Sequence, residues 1–213
     1  MKIKVCGMRD AENIRKIESL GIDWMGFIFW EPSKRCCRKK PDYLPTGCKR
    51  VGVFVNASVY DVLDKYLEYD LDVIQLHGDE DKFYVWQLRQ ALGAVGNDKF
   101  HHYQIIKAVS VTSASDFRKK CEPLVGFVDY FLFDTPTTGR GGSGRTFDWS
   151  VLDAYSYMTP FLLSGGIGPD SVSAVRAFSH PCCEGIDLNS CFEIEPGIKD
   201  YDLLKEYIEQ IIC

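Results

Sequence analysis

Residues 128–134 read Val-Asp-Tyr-Phe-Leu-Phe-Asp, a short apolar and aromatic run that ends in a carboxylate. Runs of this length are typical of β-strands, and a run that does not alternate with polar residues indicates a strand covered on both faces. Seven more runs of this kind recur along the chain, at residues 3–6, 24–29, 51–55, 73–76, 103–109, 161–164 and 185–188. Eight such strands predict a mainly parallel sheet.

Most of the segments between these runs carry helix signals. Residues that favour the start of a helix stand at Asp10, Ser58, Pro169 and Asp200. The segment 31–48 is different, because it is rich in basic residues, proline and cysteine. We expect mostly loop there, with one short helix.

Eight strand-then-helix units in 213 residues average about 27 residues each, which is close to the minimum for a βαβ step. The sequence therefore predicts a single (β/α)₈ barrel, one domain over residues 1–213. A doubly wound open sheet suits the same alternation. Closure is favoured because unusual residues fall at the C-terminal ends of predicted strands, the face where barrels build active sites. They are Cys6, Asp134, the Ser164-Gly165-Gly166 turn and Asp187-Leu188-Asn189.

Composition excludes several classes of function. A net charge of −5 argues against a general nucleic-acid binder, which needs a basic face, but leaves room for a local pocket that binds a small anion. No apolar stretch reaches the roughly 18–20 residues that span a bilayer, and the N-terminal residues are too polar for a signal peptide. We expect no membrane partner and a cytoplasmic location.

Nine cysteines raise the question of disulfides or metal. Their count is odd, and the adjacent pairs lack the two-residue gap that lets two thiolates bind one zinc ion. We expect free thiols and no metal site. The cysteines stand at positions 6, 36, 37, 48, 121, 182, 183, 191 and 213.

Three polar turns indicate a phosphorylated ligand. The stretch 139–146 resembles two nucleotide-binding motifs and completes neither, but its glycine-rich backbone can converge on an anion. Two further turns end the seventh and eighth strands, where many barrels bind phosphate. The residues expected to bind the ligand in these turns are Gly142, Ser143, Gly144, Gly165, Gly166, Asp187, Asn189 and Ser190.

An ordered set of short motifs resembles the phosphoribosylanthranilate isomerase family. Each motif alone is weak, but together they run in order from residue 4 to residue 200, near the ends of the predicted strands. They are Lys-Val-Cys-Gly-Met at 4–8, Gly-Phe-Ile-Phe at 26–29 with Ser33 and Arg35, Val-Gly-Val-Phe-Val-Asn at 51–56, Gln-Leu-His-Gly at 75–78, Phe-Asp at 133–134, Gly-Ser-Gly at 142–144, Phe-Asp-Trp at 147–149, Ser-Gly-Gly-Ile at 164–167, Gly-Ile-Asp at 185–187 and Pro-Gly-Ile-Lys-Asp at 196–200.

The resemblance implies an Amadori rearrangement of N-(5′-phosphoribosyl)anthranilate in tryptophan biosynthesis. This reaction needs one acid and one base and no redox change, so no metal or organic cofactor is expected. By resemblance Cys6 is the general base and Asp134 the general acid. A carboxyl group that donates a proton at neutral pH needs surroundings that favour its protonated form. The alternative for Cys6 is a buried structural thiol, and for Asp134 a turn cap.

Other positions follow from the same resemblance. Arg35 would hold the anthranilate carboxylate, since a guanidinium group binds a planar carboxylate through two hydrogen bonds. His77 is expected either to contact the ligand or to pack, and Asp187 and Glu193 either to touch the substrate or to brace the pocket. The chain departs from the family at Asn189-Ser190-Cys191, where Ser-Ser-Gly is common, and at Ser33-Lys34-Arg35, where Ser-Pro-Arg is common.

Three other functions fit parts of the sequence. The analogous isomerase of histidine synthesis is expected to end its first strand with Asp, and Cys6 argues against it. A non-catalytic phosphate-binding barrel would not need both Cys6 and Asp134. A thiol redox protein would need a Cys-x-x-Cys unit, which is absent from the sequence. Both a monomer and a homodimer fit the sequence.

Overall fold

Eight parallel strands close into a barrel in chain order. The computed structural model describes residues 1–95, 103–134 and 149–212. Each strand hydrogen-bonds to its sequence neighbours, and β8 pairs with β1 to complete the ring, from Lys2 opposite Gly185 to Val5 opposite Leu188. The predicted barrel is confirmed, and this closing pair of strands excludes the open sheet.

All eight predicted runs form strands, and their ends differ from the prediction by at most two residues. Apolar side chains on both faces identified them, as expected for strands that lie between a filled barrel and a helical layer. The strands are β1 (Lys2–Cys6), β2 (Trp24–Ile28), β3 (Lys49–Phe54), β4 (Val73–Leu76), β5 (Gln104–Ser110), β6 (Tyr130–Asp134), β7 (Phe161–Leu163) and β8 (Cys183–Leu188). A short antiparallel hairpin, β9 (Glu193–Glu195) and β10 (Ile198–Lys199), follows the barrel.

Helices and shorter helical turns cover the barrel. The carboxylate of Asp10 accepts a hydrogen bond from the amide of Asn13, and the hydroxyl of Ser58 accepts one from the amide of Asp61, so both predicted caps form. No helix in the described ranges is both long and apolar enough to cross a membrane. The helices are α1 (Ala11–Glu18), α2 (Val59–Tyr69), α3 (Lys82–Val95), α4 (Ala114–Asp116), α5 (Val172–Ala177) and α6 (Tyr201–Ile212), with a π turn at Phe117–Cys121 and 3-10 turns at Glu122–Leu124, Trp149–Ala154, Pro169–Ser171 and Ser190–Phe192.

The segment 31–48 contains turns and one bridge to β2, so the short helix expected there is wrong. Three prolines, at positions 32, 41 and 45, interrupt the segment and remove backbone donors that a helix needs. The amide of Cys37 instead donates to the carbonyl of Ile28, the last residue of β2, so the segment pairs briefly with the end of that strand. The layer outside β2 and β3 is therefore a loop.

Two sets of buried side chains fill the molecule. The larger set lies between the strands and the outer layer and includes Phe133, Tyr155 and Phe161, whose rings meet edge-on or tilted at 5.0–5.4 Å. The smaller set occupies alternate strand positions and fills the barrel interior. Its members are Cys6, Trp24, Val51, Val53, Val73, Ile106, Ala108, Tyr130, Leu132 and Leu162.

The cysteines at eight positions lie in the described ranges, and all eight are free thiols. Cys6, Cys36, Cys37 and Cys121 are buried. Most of these thiols act as small apolar groups in the packing, which is common for free cysteine.

Candidate active site

Cys6 and Asp134 lie at the C-terminal ends of two different strands, as predicted. Cys6 ends β1 and Asp134 ends β6, three strands away around the ring. The Cys6 side chain faces the barrel interior and is 3% exposed, whereas a third of the Asp134 side chain is exposed. Gly26 on β2 lies against the thiol, because a Cβ built there would be 2.7 Å from its Sγ. The two groups therefore approach the mouth of the barrel from different sides.

A buried lysine lies next to Cys6 in the barrel interior. Lys4 stands two residues earlier on β1, so its side chain projects to the same face of the strand, and it is 0% exposed. Its Nζ donates to Oδ1 of Asp187 on β8 at 2.8 Å. Burial alone would lower the pKa of Lys4, but the charges and hydrogen bonds of Asp187 and Cys6 outweigh it, and the pKa is raised. Lys4 is therefore an ammonium ion at neutral pH.

Opposing influences act on the Cys6 thiol. Burial raises its pKa above the ordinary value, and the Asp187 carboxylate raises it further. The positive charges of Lys4 and Lys199 lower the pKa, and Lys4 has the stronger effect of the two. Burial prevails, so the pKa remains raised in the unliganded protein.

Asp187, one of the expected ligand-binding residues, is occupied within the protein. Its side chain is 7% exposed and is the partner of Lys4. The hydroxyl of Ser164 donates to its second oxygen, Oδ2, at 3.4 Å. This arrangement favours the bracing role over direct contact with a ligand.

Arg35 is held at the site by a carboxylate from the β9–β10 hairpin. Its Nε lies 2.9 Å from both oxygens of Glu193, and its Nη2 donates to Oε2 at 2.7 Å. Glu193 in turn accepts from Nζ of Lys199 at 2.6 Å and from the amide of Gly197. Burial alone would raise the pKa of Glu193, but Arg35 and Lys199 hold it below its usual value. The guanidinium is thus fixed along one edge.

Three separate segments meet at Gly7, just after β1. Its φ is +82°, which favours glycine, and a Cβ there would lie 2.9 Å from Cδ of Arg35 and 3.0 Å from Oδ1 of Asn189. Lys199 donates to both the carbonyl and the side-chain oxygen of Asn189. The absence of a side chain at Gly7 lets the segments after β1, β2 and β8 pack together.

The turns after β7 and β8 lie side by side, as predicted. Gly165 and Gly166 have φ of +80° and +72°, conformations that glycine adopts without strain. Gly168 contacts Cys191, because a Cβ there would be 3.2 Å from that of Cys191. Ser190 begins the 3-10 turn after β8. Gly142, Ser143 and Gly144, also expected to bind the ligand, lie outside the described residues.

His77 lies beside Asp134. It follows β4, and its Nε2 is 3.6 Å from Oδ2 of Asp134, while its Nδ1 is 3.2 Å from Nε2 of the buried Gln75. Lys107 on β5 donates to the carbonyls of Leu76 and Gly78, which flank the histidine. His77 is therefore held at the mouth next to the expected acid.

Lys4, Gln75 and Lys199 belong to this site but were given no role from the sequence. A signal for Lys4 was present: a charged residue interrupts an apolar strand and shares the inward-facing register of Cys6. Lys199 lies in the Pro-Gly-Ile-Lys-Asp motif, but its partner Asn189 lies across a loop, so the sequence did not show their pairing. The assembled site offers a thiol, a carboxyl, an oriented guanidinium, a glycine-rich turn after β7 and a polar turn after β8.

Comparison with known proteins agrees with this geometry. The family model for N-(5'phosphoribosyl)anthranilate (PRA) isomerase matches residues 3–210. An N-(5'-phosphoribosyl)anthranilate isomerase from Parabacteroides distasonis is 48% identical over all of this chain and 94% of its own length. The enzyme of that name from Phocaeicola vulgatus is 47% identical over 99% of this chain and 98% of its own length.

Solved structures agree in fold. The phosphoribosyl anthranilate isomerase of Thermotoga maritima superposes with a TM-score of 0.79 at 30% identity, covering 100% of this chain and 98% of its own. A phosphoribosyl anthranilate isomerase solved in complex with reduced 1-(o-carboxyphenylamino)-1-deoxyribulose 5-phosphate gives 0.76 at 27% identity, with the same coverage. With a family match over nearly its whole length and relatives close to half identical, this chain belongs to the N-(5'-phosphoribosyl)anthranilate isomerase family.

Proposed function

We propose that this chain catalyses the Amadori rearrangement of N-(5′-phosphoribosyl)anthranilate to 1-(2-carboxyphenylamino)-1-deoxyribulose 5-phosphate in tryptophan biosynthesis. Family membership supports the reaction, and the observation that carries the residue roles is the position of Cys6 and Asp134 on different sides of one barrel mouth. The chain would act in the cytoplasm as a monomer or homodimer. Because proton transfers complete the reaction, neither a metal nor an organic cofactor is needed.

In the first step, Asp134 acts as general acid. Its carboxyl protonates the ring oxygen of the furanose, the bond from C1′ to that oxygen breaks, and an iminium ion forms between C1′ and the anthranilate nitrogen. His77 lies beside this carboxyl and is suited to orient it.

In the second step, Cys6 acts as general base. The sulfur takes the proton from C2′, and the electrons of that C–H bond form the C1′–C2′ double bond of an enolamine. This intermediate tautomerises to the aminoketone product. Only the thiolate can accept the proton, so the fraction of Cys6 that is ionised limits this step.

Arg35 binds the anthranilate carboxylate. A guanidinium group has two edges that can form paired hydrogen bonds, and Glu193 uses the edge made by Nε and Nη2. The edge made by Nη1 and the second hydrogen of Nη2 is directed elsewhere and suits a planar carboxylate. Glu193 therefore orients the arginine without consuming the binding edge.

The phosphate binds at the opposite end of the substrate. Backbone amides in the turns after β7 and β8 supply donors, from Gly165 and Gly166 on one side and Asn189 and Ser190 on the other, as phosphate sites in barrels commonly do. Gly142, Ser143 and Gly144, which lie outside the described residues, are expected to bind the phosphate by resemblance to the family. Cys191 stands where a glycine is common in the family, and its side chain limits how closely the backbone can approach the phosphate.

The test is turnover of freshly generated phosphoribosylanthranilate, followed by loss of its anthranilate fluorescence with a chelator present. We expect turnover by the wild-type protein and a loss of at least about 100-fold in kcat for Cys6→Ser. Cys121→Ser is the matched control, since Cys121 is equally buried but lies in the outer core. Equal turnover by Cys6→Ser and Cys121→Ser would contradict the role of Cys6, and no turnover by the folded wild type would contradict the reaction.

A further inference from the structure

The Lys4–Asp187 ion pair lies in the barrel interior, directly below the mouth. Lys4 is 0% exposed and Asp187 7%, and the two strand residues stand opposite each other in the pairing of β1 with β8. Burying an ion pair in a barrel core generally gains little stability over apolar packing of the same volume. A role beyond stability would account for its position.

The buried Lys199 is paired with Glu193 and Asn189, and two other buried or half-buried lysines serve the backbone or the lower end of the barrel. Lys107 pairs with Glu80 and donates to three carbonyls around the end of β4. Lys2 pairs with Glu184 and the hydroxyl of Tyr130 at the N-terminal ends of the strands. Lys4 differs from both, because it pairs with the Asp187 carboxylate and shares the inward face of β1 with Cys6.

We infer that Lys4 is a positioning residue for catalysis, whose buried ammonium group favours the anionic form of the Cys6 sulfur and directs that sulfur at the substrate. This inference rests on the proposed role of Cys6 as general base. Asp187 keeps the ammonium in place from the far side, and Ser164 fixes the second carboxylate oxygen. Lys4 lies on β1, Asp187 on β8 and Ser164 directly after β7. Neighbouring parts of the barrel wall therefore hold the ammonium group of Lys4 in place.

The charges that face Cys6 come from three elements. Lys4 on β1 and Lys199 on β10 favour the thiolate, and Asp187 on β8 opposes it. Lys199 is already paired with Glu193, which reduces its effect on the sulfur. Lys4 lies on the same strand and the same inward face as Cys6, so its loss should have the largest effect.

The sign of the effect follows from the proton balance. Replacing Lys4 with a neutral residue removes a cation that favours loss of the thiol proton, so the pKa of Cys6 rises. Each unit of increase lowers the thiolate fraction about tenfold at a pH below the pKa. We expect an increase of at least about one unit, a loss of at least about tenfold in kcat/KM at neutral pH, and recovery of activity as the pH is raised.

The experiment compares Lys4→Gln with Lys4→Arg and with Lys2→Met, the loss of an ion-paired lysine on the same face of β1 at the opposite end of the barrel. The ionisation of Cys6 is read as thiolate ultraviolet absorbance against pH, taking the difference between each protein and its Cys6→Ser counterpart. The pH profile of kcat/KM is measured in parallel. If Lys4→Gln unfolds because Asp187 loses its partner, Lys4→Gln/Asp187→Asn is compared with Asp187→Asn, because these two variants differ only in the charge of Lys4 and the opposing effect of Asp187 is removed from both.

A shift of both the Cys6 titration and the acidic limb of the pH profile to higher pH, seen in Lys4→Gln and not in Lys2→Met, supports the inference. A Cys6 titration that stays within about 0.3 units of the wild type overturns it. A shifted titration with an unchanged pH profile also overturns the catalytic role of Lys4. Full activity of Cys6→Ser would instead refute the proposed role of Cys6, and the titration distinguishes that failure because it does not depend on turnover.

Discussion

Replacing Glu193 with Gln should destabilise the protein and weaken substrate binding together. The side chains of Glu193 and Lys199 are 4% and 0% exposed, and Arg35 completes the cluster. Burial lowers the pKa of Lys199 although Glu193 opposes this effect, so the lysine depends on the carboxylate to remain charged. The amide of glutamine keeps the shape but removes that charge.

The size of the effect follows from the geometry. Two unit charges separated by the 2.6 Å between Nζ of Lys199 and Oε1 of Glu193 attract by about 6 kcal/mol at an effective dielectric constant of about 20. The free-energy cost of removing both groups from water offsets part of this attraction. Removing one partner of a buried pair costs about 3–5 kcal/mol, which we expect for Glu193→Gln. That is a large share of the roughly 5–15 kcal/mol that stabilises a typical protein.

Urea denaturation of the wild type, Glu193→Gln, Lys199→Met and the double variant measures this cost and the coupling between the two residues. We expect an unchanged m value and a coupling of about 2 kcal/mol or more. Because the pKa of Glu193 is lowered in the fold, its stabilisation is present above about pH 4.3, its unfolded pKa, and is lost as the pH falls through the lower folded value. The difference in the free energy of unfolding between wild type and Glu193→Gln should therefore decrease as the pH falls through that range. If Glu193→Gln lowers the free energy of unfolding by less than about 1 kcal/mol, which is the contribution of an exposed ion pair, this reasoning is refuted.

Three further predictions concern the site. Asp134→Asn should lower kcat by at least about 100-fold with little change in KM in steady-state assays, and retained turnover would assign the acid elsewhere. Arg35→Ala should raise KM at least about tenfold, with only partial rescue by Arg35→Lys, whereas a loss of thermal stability at unchanged KM would leave the arginine structural. Gly26→Ala places a methyl carbon about 2.7 Å from Sγ of Cys6 and should lower kcat at least about tenfold. Gly93→Ala, with no atom within 4 Å of the new methyl, is its control, and equal kcat in the two variants would contradict the prediction.

The strands and the strand-end residues could be predicted because their signals are local. Continuous apolar runs identify a strand covered on both faces, and a Cys or Asp that ends such a run is visible in the sequence alone. The partners of the site residues could not be predicted in this way. Arg35 meets Glu193 across 158 residues and Lys4 meets Asp187 across 183, so only the closed fold brings them together.

Residues 31–48 show a second limit of sequence reasoning. The sequence predicted mostly loop there, which is confirmed, and one short helix, which is wrong: prolines and the hydrogen bond from Cys37 to Ile28 produce turns instead. Arg38 instead pairs with Glu31 on the surface. Helix propensity is a weak guide where backbone donors find partners in a neighbouring strand.

The pairing of the first strand with the last has a consequence for the order of folding. Contacts between residues this distant in sequence carry a high loop-closure entropy and form late in folding. Gly185 permits this closure, because any side chain there would collide with the backbone of Lys2. The same late step brings Asp187 to Lys4 beside Cys6. A nascent or partly unfolded chain would therefore have an ordinary, accessible cysteine at this position, whereas the closed barrel buries the thiol and raises its pKa. Loss of reactivity at Cys6 towards thiol reagents would report that the ring has closed.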